Sequence, residues 1–270
     1  NRKLAETQTE LQLTNKQLLE FQKEMARMPF DNLATKLDGI GNGFKNLSSA
    51  TAPLSLALGG IFGTAIATAT NFEEKMAEVG AITNATSDDL GRLSEKAREI
   101  GSNTQLSASQ GAEALKLLAQ AGYDVDKSIA TVDSTVNLAI ASNMELAETT
   151  GILTSIMSAF GSKAEEATHI TDILATTASN SNTDVSQLGE AFKNVAPTAS
   201  ALGYEIEDVS IVLGMMANNA IQGGEAGNAL KSILASLAKP TKNAQAIMDE
   251  YGLSLTRANG EAKPFLEVVG

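Results

Sequence analysis

The stretch that decides the fold runs from Ser181 to Asp208 and reads SNTDVSQLGEAFKNVAPTASALGYEIED. It combines a turn suited to capping a helix, an amphipathic helix that Pro197 is expected to kink, and Gly203 as a stop signal. Much the same string, SNTQLSASQGAEALKLLAQAGYDVD, occupies Ser102–Asp126. Both carry Ser-Asn-Thr, then Glu-Ala, then Gly-Tyr and an acidic residue. Neither copy carries a catalytic group, so the repeat predicts a structural protein rather than an enzyme.

Helical patterns in the same order surround both copies of this string. We therefore predict an all-α fold in which a four-helix unit at residues 86–161 is followed by a second unit at 162–239. The copies are offset by roughly 80 residues, which is longer than common solenoid repeats, so we expect a duplication rather than an extended solenoid. Residues 240–270 are expected to add a short helix, a small hairpin with an Asn259-Gly260 turn, and a new helix at Pro264.

Start and stop signals place the helix boundaries within the two units. Ser107 with Gln110, and Ser162 with Glu165, have the spacing of a capping box. Gly101 is placed to end the first helix of the first unit. The second copy of the repeated string is expected to be helical over Ser181–Gly203.

Composition and charge limit the classes of function. The chain has 270 residues and no cysteine or tryptophan, so disulfides, zinc–thiolate sites and thiol catalysis are excluded. Residues 1–45 hold seven basic and six acidic residues, and the remaining 13 basic and 26 acidic residues give the rest a net charge of −13. An acidic body lacks the basic surface of a nucleic-acid-binding protein, so we expect no specific nucleic acid as partner.

The first 45 residues are predicted to form a coiled-coil arm with a glycine-rich linker. Apolar residues recur at heptad spacing up to Pro29, which ends the pattern. A helix from Arg2 to Met28 would be roughly 40 Å long. The alternative is a single amphipathic helix lying on its own domain, whereas a coiled coil implies a homo-oligomer. The predicted oligomer seam consists of Leu4, Leu11, Leu18, Phe21, Met25 and Met28.

Residues 46–85 are predicted to form an apolar helix and a connector. The chain carries no charge from Asn46 through Phe72. A membrane span needs about 20 mostly apolar residues, and this run nearly qualifies. Burial in a core or between copies of the chain explains it equally well, because Pro53 and the paired glycines disfavour a helix in water. The candidate membrane-inserting residues are Leu54, Leu56, Leu58, Gly59, Gly60, Ile61, Phe62, Gly63 and Ile66.

No motif in the sequence predicts a catalytic, metal or cofactor site. His169 is the only histidine, and we interpret it as a surface residue with contacts four residues away on its own helix. The Gly223-Gly224-x-x-Gly227 run is not a phosphate-binding loop, since no strand precedes it and no Lys-Ser/Thr follows. The acids Glu205, Glu207 and Asp208 are interpreted as helix-start residues. We therefore expect no enzymatic activity and no cofactor.

Taken in order, several motifs resemble one protein family. They are FEEKMAEVGAIT, both copies of the repeated string, SAFG, GMMANNAIQGGEAGNALKSILASL and YGLSLTRANGEAKPFLEVV. They look like the core region of the tail tape measure proteins of tailed phages, also called phage-related minor tail proteins. The resemblance covers residues 71–270, and the arm before it agrees only in character.

The resemblance implies a long, helical, oligomeric protein of the virion, with a trimer as the expected oligomer. Such proteins fill the tail tube or tip, set tail length, contact tail tube and distal tail or baseplate proteins, and leave ahead of the DNA at infection. Some are thought to help DNA cross the host envelope, so a membrane-inserting, channel-forming role is the alternative function. We expect this chain to be part of a longer polypeptide, with most of the ruler length outside the compact body.

Overall fold

The computed structural model describes residues 70–250 and Lys263, and the regular structure in this part is entirely helical. The predicted all-α class is therefore confirmed. The predicted coiled-coil arm and the predicted hairpin lie outside the described residues. The α-helices of the described part are α1 (residues 70–83), α2 (Ser87–Asn103), α3 (Ala108–Gln120), α4 (Val125–Ser142), α5 (Leu146–Phe160), α6 (Ala167–Asn180), α7 (Val185–Ala201), α8 (Ile206–Asn218), α9 (Gly223–Ala238) and α10 (Lys242–Glu250).

These helices pack in two layers. Each of α3, α5 and α7 contacts the next odd-numbered helix, and ion pairs join α1 to α3, so these helices and α9 form the odd layer. In the same way α2, α4, α6 and α8 contact one another in sequence and form the even layer. Consecutive helices from α2 to α9 also contact each other across the layers. Short connections between packed helices make neighbours antiparallel, so the chain alternates between the layers and advances along the array.

The helices of each layer start at nearly constant intervals. In the odd layer α3, α5, α7 and α9 start at Ala108, Leu146, Val185 and Gly223. In the even layer α2, α4, α6 and α8 start at Ser87, Val125, Ala167 and Ile206. One two-helix step therefore takes about 40 residues, and two such steps account for the sequence offset of roughly 80 residues. The division into two four-helix units stays a prediction.

Buried apolar side chains form two clusters along the array. The N-terminal core runs from Phe72 to Val136 and takes its residues from α1 to α4. The C-terminal core runs from Leu138 to Leu234 and takes most of its residues from α5 to α9. The two cores meet at α4 and α5.

Buried hydroxyl groups are concentrated where the two cores meet. Six buried Ser and Thr residues of α4 and α5 make up what we call the hydroxyl seam: Ser128, Thr131, Ser134, Thr135, Thr149 and Thr150. Ser134 Oγ lies 2.9 Å from Thr168 Oγ1 and so links α4 to α6. Thr135, Thr149 and Thr150 each donate to the carbonyl four residues earlier in their own helix. The hydroxyls of Ser128 and Thr131 have no hydrogen-bond partner in the described part.

Three predicted helix boundaries are wrong. Helix α2 does not end at Gly101 but continues to Asn103, where Thr104 caps it by donating from its hydroxyl to the Ile100 carbonyl over 2.8 Å. A Cβ on Gly101 would lie 2.5 Å from the Ala108 nitrogen. The glycine therefore serves the close approach of α3 rather than the end of α2.

The predicted Ser162–Glu165 capping box is also wrong, by one residue. A 3₁₀ turn at Ala164–Glu166 precedes α6, and there the Lys163 N–H donates to the Glu166 carboxylate over 2.7 Å. Helix α7 starts at Val185 rather than Ser181, because the Asp184 side chain accepts from the Gln187 N–H over 2.8 Å. The helix then continues through Pro197 to Ala201.

Candidate functional site

The repeated string supplies a helix with defined ends in both copies. In the first copy Ser107 and Gln110 form the predicted capping box of α3, with the Gln110 N–H 3.3 Å from Ser107 Oγ. At the other end Gly122 has φ +91° and the Tyr123 N–H donates to the Leu118 carbonyl. In the second copy Gly203 has φ +81° and the Tyr204 N–H donates to the Ala199 carbonyl. The Gly-Tyr pair thus closes both helices with the hydrogen bond of a Schellman motif.

The two tyrosines follow α3 and α7 directly and are at least half-buried. Tyr123 is half-buried and its hydroxyl lies 3.5 Å from Met157 Sδ in α5. Tyr204 is buried. Burial raises the pKa of both hydroxyls, because the charged phenolate loses hydration. Both side chains therefore act as neutral packing groups at the turns.

Glycines in the first turns of odd-layer helices allow close contacts with neighbouring helices. Gly111 in α3, Gly189 in α7 and Gly227 in α9 all lie near a Glu-Ala pair early in an odd-layer helix. A Cβ on Gly111 would lie 2.7 Å from the Ala97 carbonyl oxygen, and one on Gly227 would lie 2.2 Å from the Ala191 carbonyl oxygen. Both distances are too short for any side chain. Helix packing therefore explains Gly227, the last glycine of the run at 223–227.

The second copy of the repeated string also joins two turns on one side of the array. The Asn182 N–H in the α6–α7 turn donates to Asn218 Oδ1 over 2.8 Å. The Asn182 carbonyl accepts from the Gln222 side chain in the α8–α9 turn. Asn218 and Gln222 lie outside the repeated string, and their polarity alone gave no signal of this contact. Both contacts use the backbone of Asn182, so the position of this turn links the two turns whatever its side chain.

Polar pairs connect successive helices within the even layer. Lys96 in α2 lies 2.5 Å from the Asp133 carboxylate in α4, and Arg92 lies 2.7 Å from that of Asp126. Burial disfavours the charged form of Lys96, but its hydrogen bonds to Asp133 and Glu99 outweigh this and raise its pKa. These pairs hold α2 against α4.

His169 is exposed as predicted, but its predicted contact within its own helix is wrong. Its Nε2 lies 2.5 Å from Glu207 Oε1 in α8, and both side chains are more than 40% exposed. Residues 38 positions apart meet because α6 and α8 are successive helices of the even layer. Glu207 and Asp208 also occupy the first turn of α8, as predicted. His169 thus belongs to the same set of inter-helix pairs as Lys96.

The described residues contain no group of three or more His, Asp or Glu side chains that could hold a metal ion. A cleft of about 420 Å³ lies between the α3–α4 turn and the α5–α6 connection. It is lined by Tyr123, Lys127, Met157 and Lys163, among others. This cleft lies beside the boundary between the two cores.

The site residues predicted from the sequence lie outside the described part of the chain. This holds for the predicted oligomer seam from Leu4 to Met28 and for the candidate membrane-inserting residues from Leu54 to Ile66. Within the part that is described, no helix combines the length and the apolar character needed to cross a bilayer.

Comparisons with known proteins agree with the sequence motifs. A family model described as phage-related minor tail protein matches residues 94–270, which are 177 of the 270 residues. The chain is 33% identical to the tape measure protein of Pneumococcus phage Dp-1 over 237 residues, 88% of this chain and 20% of that protein. It is 29% identical to the probable tape measure protein of Escherichia phage P2 over 200 residues, 73% of this chain and 24% of that protein.

No solved structure matches the chain. The chain spans about a fifth to a quarter of the length of the two curated relatives. The family match covers most of the helical array, and the predicted resemblance to tape measure proteins is confirmed. This chain belongs to the phage-related minor tail protein family.

Proposed function

We propose that the chain is part of a structural phage tail protein that acts as a tape measure. In this role it sets tail length during assembly, occupies the tail tube or tip, and is ejected at infection. The observation that carries the proposal is the similarity to two tape measure proteins over 88% and 73% of the chain. The described helices supply a packed body held together by side-chain contacts, which suits a structural role.

The proposed partners are further copies of the chain and other tail proteins. The arm at residues 1–45 joins copies into a homo-oligomer, with a trimer as the expected state, through the heptad seam. Tail tube proteins and distal tail or baseplate proteins are the other partners. The protein is located in the lumen or tip of the virion tail, and in the host envelope after ejection.

Tail length tests the tape measure function directly. In a phage that carries the whole protein, we expect in-frame deletions outside residues 86–239 to shorten the tail in proportion to the residues removed. Electron microscopy of purified virions measures this length. Gly151→Ala is the matched control, because Gly151 is exposed on α5 and a Cβ there meets nothing within 4 Å. Tails of unchanged length after a large deletion would refute the proposal.

Oligomerisation by the arm is tested separately. Leu11→Asp puts a charge into the heptad seam and is expected to convert the oligomer to a monomer in analytical ultracentrifugation. Gln12→Asp adds the same charge one residue later, away from the seam, and is expected to leave the oligomer intact. A seam variant that sediments like the unmodified chain would show that other residues hold the copies together.

A second candidate function is membrane insertion, favoured by the uncharged run from Asn46 to Phe72. This role and the tape measure role are compatible at different stages of infection. The purified chain is then expected to release a dye from liposomes, and Gly60→Asp or Ile66→Asp should abolish the release. Ile82→Asp is the control, since Ile82 lies in α1 with 40% of its surface exposed. If the chain releases no dye, or if Gly60→Asp and Ile66→Asp release as much dye as Ile82→Asp and the unmodified chain, this function is refuted.

A further inference from the structure

Corresponding positions recur in the four odd-layer helices from α3 to α9. We match positions between these helices by adding the interval from one helix start to the next. Leu118 then corresponds to Ile156, Val195 and Ile233. The same shifts lead from Ala114 to Ile152, Ala191 and Ala229. These positions lie four residues apart, so they are neighbours on one face of each helix.

The exposure of these positions changes at the last helix. Leu118, Ile156 and Val195 are exposed by 0%, 2% and 0%, whereas Ile233 is exposed by 42%. Ala114 and Ala191 are buried, whereas Ile152 and Ala229 are half-buried. Leu237 is half-buried, and its counterpart one step earlier, Ala199, is fully buried. The face that is covered on α3 and α7 is thus open on α9.

On α7 this face is covered by the following odd helix. Gly227 of α9 lies so close to Ala191 that a Cβ would come within 2.2 Å of the Ala191 carbonyl oxygen. Asn194 of α7 also donates to the Gly224 carbonyl over 3.3 Å. The same face of α9 should therefore accept another odd-layer helix.

We propose that Ala229, Ile233 and Leu237 form a docking surface for a further helix of this same chain. One more step equal to that from Val185 to Gly223 ends close to Pro264, and proline is a favoured first residue of a helix. Phe265, Leu266, Val268 and Val269 supply apolar side chains just after it. Burying the Ile233 side chain removes apolar surface from water, which favours this contact over an open face.

The even layer also has a helix close to the position expected for one further step. Helix α10 starts at Lys242, close to one further interval of this layer after Ile206 at the start of α8. Ile247 of α10 is exposed by 54%. Four of the five strongly exposed large apolar side chains among the described residues lie in α8–α10: Ile211, Met215, Ile233 and Ile247. Terminal units of stacked repeats have polar outer faces, so an apolar end indicates an internal member of the array.

Disulfide trapping tests this inference, because the chain has no cysteine of its own. Ile233→Cys is combined in turn with Phe265→Cys, Leu266→Cys, Val268→Cys or Val269→Cys in the 270-residue chain and oxidised. We expect at least one pair to form an intramolecular disulfide that changes mobility on a non-reducing gel. Ile211→Cys, on α8 and exposed by 47%, is the control partner and is expected to form none with the same four positions.

The outcomes separate the possible occupants. A disulfide-linked dimer through Cys at position 233 would overturn the inference in favour of a second copy. Failure of all four pairs to crosslink would overturn it as well. Hydrogen exchange gives an independent measurement: Ile233→Asp should speed exchange of the amides at 265–270 at least tenfold, and Ile211→Asp should not. Equal exchange in both variants would also contradict the inference, which does not depend on the tape measure function.

Discussion

The two cores of the array are held together in different ways. Among pairs with both residues in the described part, every Lys or Arg ion pair lies between Lys75 and Asp133, around the N-terminal core. In α5–α9 the described part has only the His169–Glu207 contact of this type. Among the described residues, the C-terminal core instead has more buried apolar residues, 22 against 13, including Phe192 at 0% exposure.

Helix capping shows the same contrast. The helices α2, α3 and α4 each start with a side-chain cap, from Thr86, Ser107 and Asp124. Of α5, α7, α8 and α9, only α7 has one. Caps act locally and surface ion pairs weaken with salt, whereas apolar packing depends on neither. The same two-helix step can therefore be stabilised by local polar contacts in one half and by fitted packing in the other.

The largest expected effect comes from Phe192→Ala in the C-terminal core. Phe192 is fully buried and packs edge-on against Phe160, with ring centroids 6.2 Å apart. Removing a buried Phe side chain costs about 3–5 kcal/mol. Hydrogen exchange should become faster throughout α5–α9, with a smaller change in α2 and α3. Equal acceleration in both halves would show that the two cores unfold as one unit.

The next effect tests close backbone packing in the C-terminal half. Gly227→Ala places a Cβ 2.2 Å from the Ala191 carbonyl oxygen, so α7 and α9 must move apart. Overpacking of this kind costs about 1–3 kcal/mol, seen as a lower urea midpoint. Gly151→Ala on α5 is the matched control, and it should stabilise the protein by about 0.5–1 kcal/mol because its Cβ meets nothing within 4 Å. A neutral Gly227→Ala would contradict the close approach.

The hydroxyl seam can be changed by a substitution that preserves shape. Thr131→Val removes a buried hydroxyl without a partner in the described part, so we expect a gain of about 1 kcal/mol in the free energy of unfolding. Thr135→Val is the control on the same helix, because the Thr135 hydroxyl donates to the Thr131 carbonyl over 3.0 Å. The free energy of unfolding of Thr135→Val should change by at most about 0.5 kcal/mol, since the Thr131 carbonyl also accepts the backbone hydrogen bond of the helix. A loss of stability in Thr131→Val would mean that the hydroxyl has a partner.

The smallest effect concerns the ion pairs of the N-terminal half. Lys96→Met removes the contacts to Asp133 and Glu99 and should cost about 0.5 kcal/mol at low salt. At a salt concentration of about 1 M the screening length falls to about 3 Å, so the cost should largely disappear. Chemical denaturation of both proteins at two salt concentrations measures this. A cost that does not change with salt would indicate that Lys96 acts through the packing of its alkyl chain.

The sequence contained most of the information on single helices. Capping at Ser107 and the glycine stop at Gly203 depend on neighbouring residues, and the structure has both where the sequence predicts them. The prediction for Gly101 is wrong because the sequence does not distinguish a glycine that ends a helix from a glycine that contacts another helix. The second role depends on α3, which lies against it only after folding.

Contacts between successive helices were the part that the sequence did not indicate. The partner of His169 is 38 residues away, and the link from Asn182 to Gln222 spans 40. Their pairing depends on the two-helix step, which becomes measurable only once the helix starts are known. The repeated string suggested a longer period because only alternate odd-layer helices, α3 and α7, carry it in full.

The alternation of the layers limits how a chain of this kind can evolve. Loss or duplication of a whole two-helix step leaves every later helix in its own layer, with the same direction and the same buried face. Loss of a single helix would reverse the direction of all that follow and turn their apolar sides to the wrong neighbours. Viable insertions and deletions within the array should therefore come in multiples of about 40 residues, the length of one two-helix step.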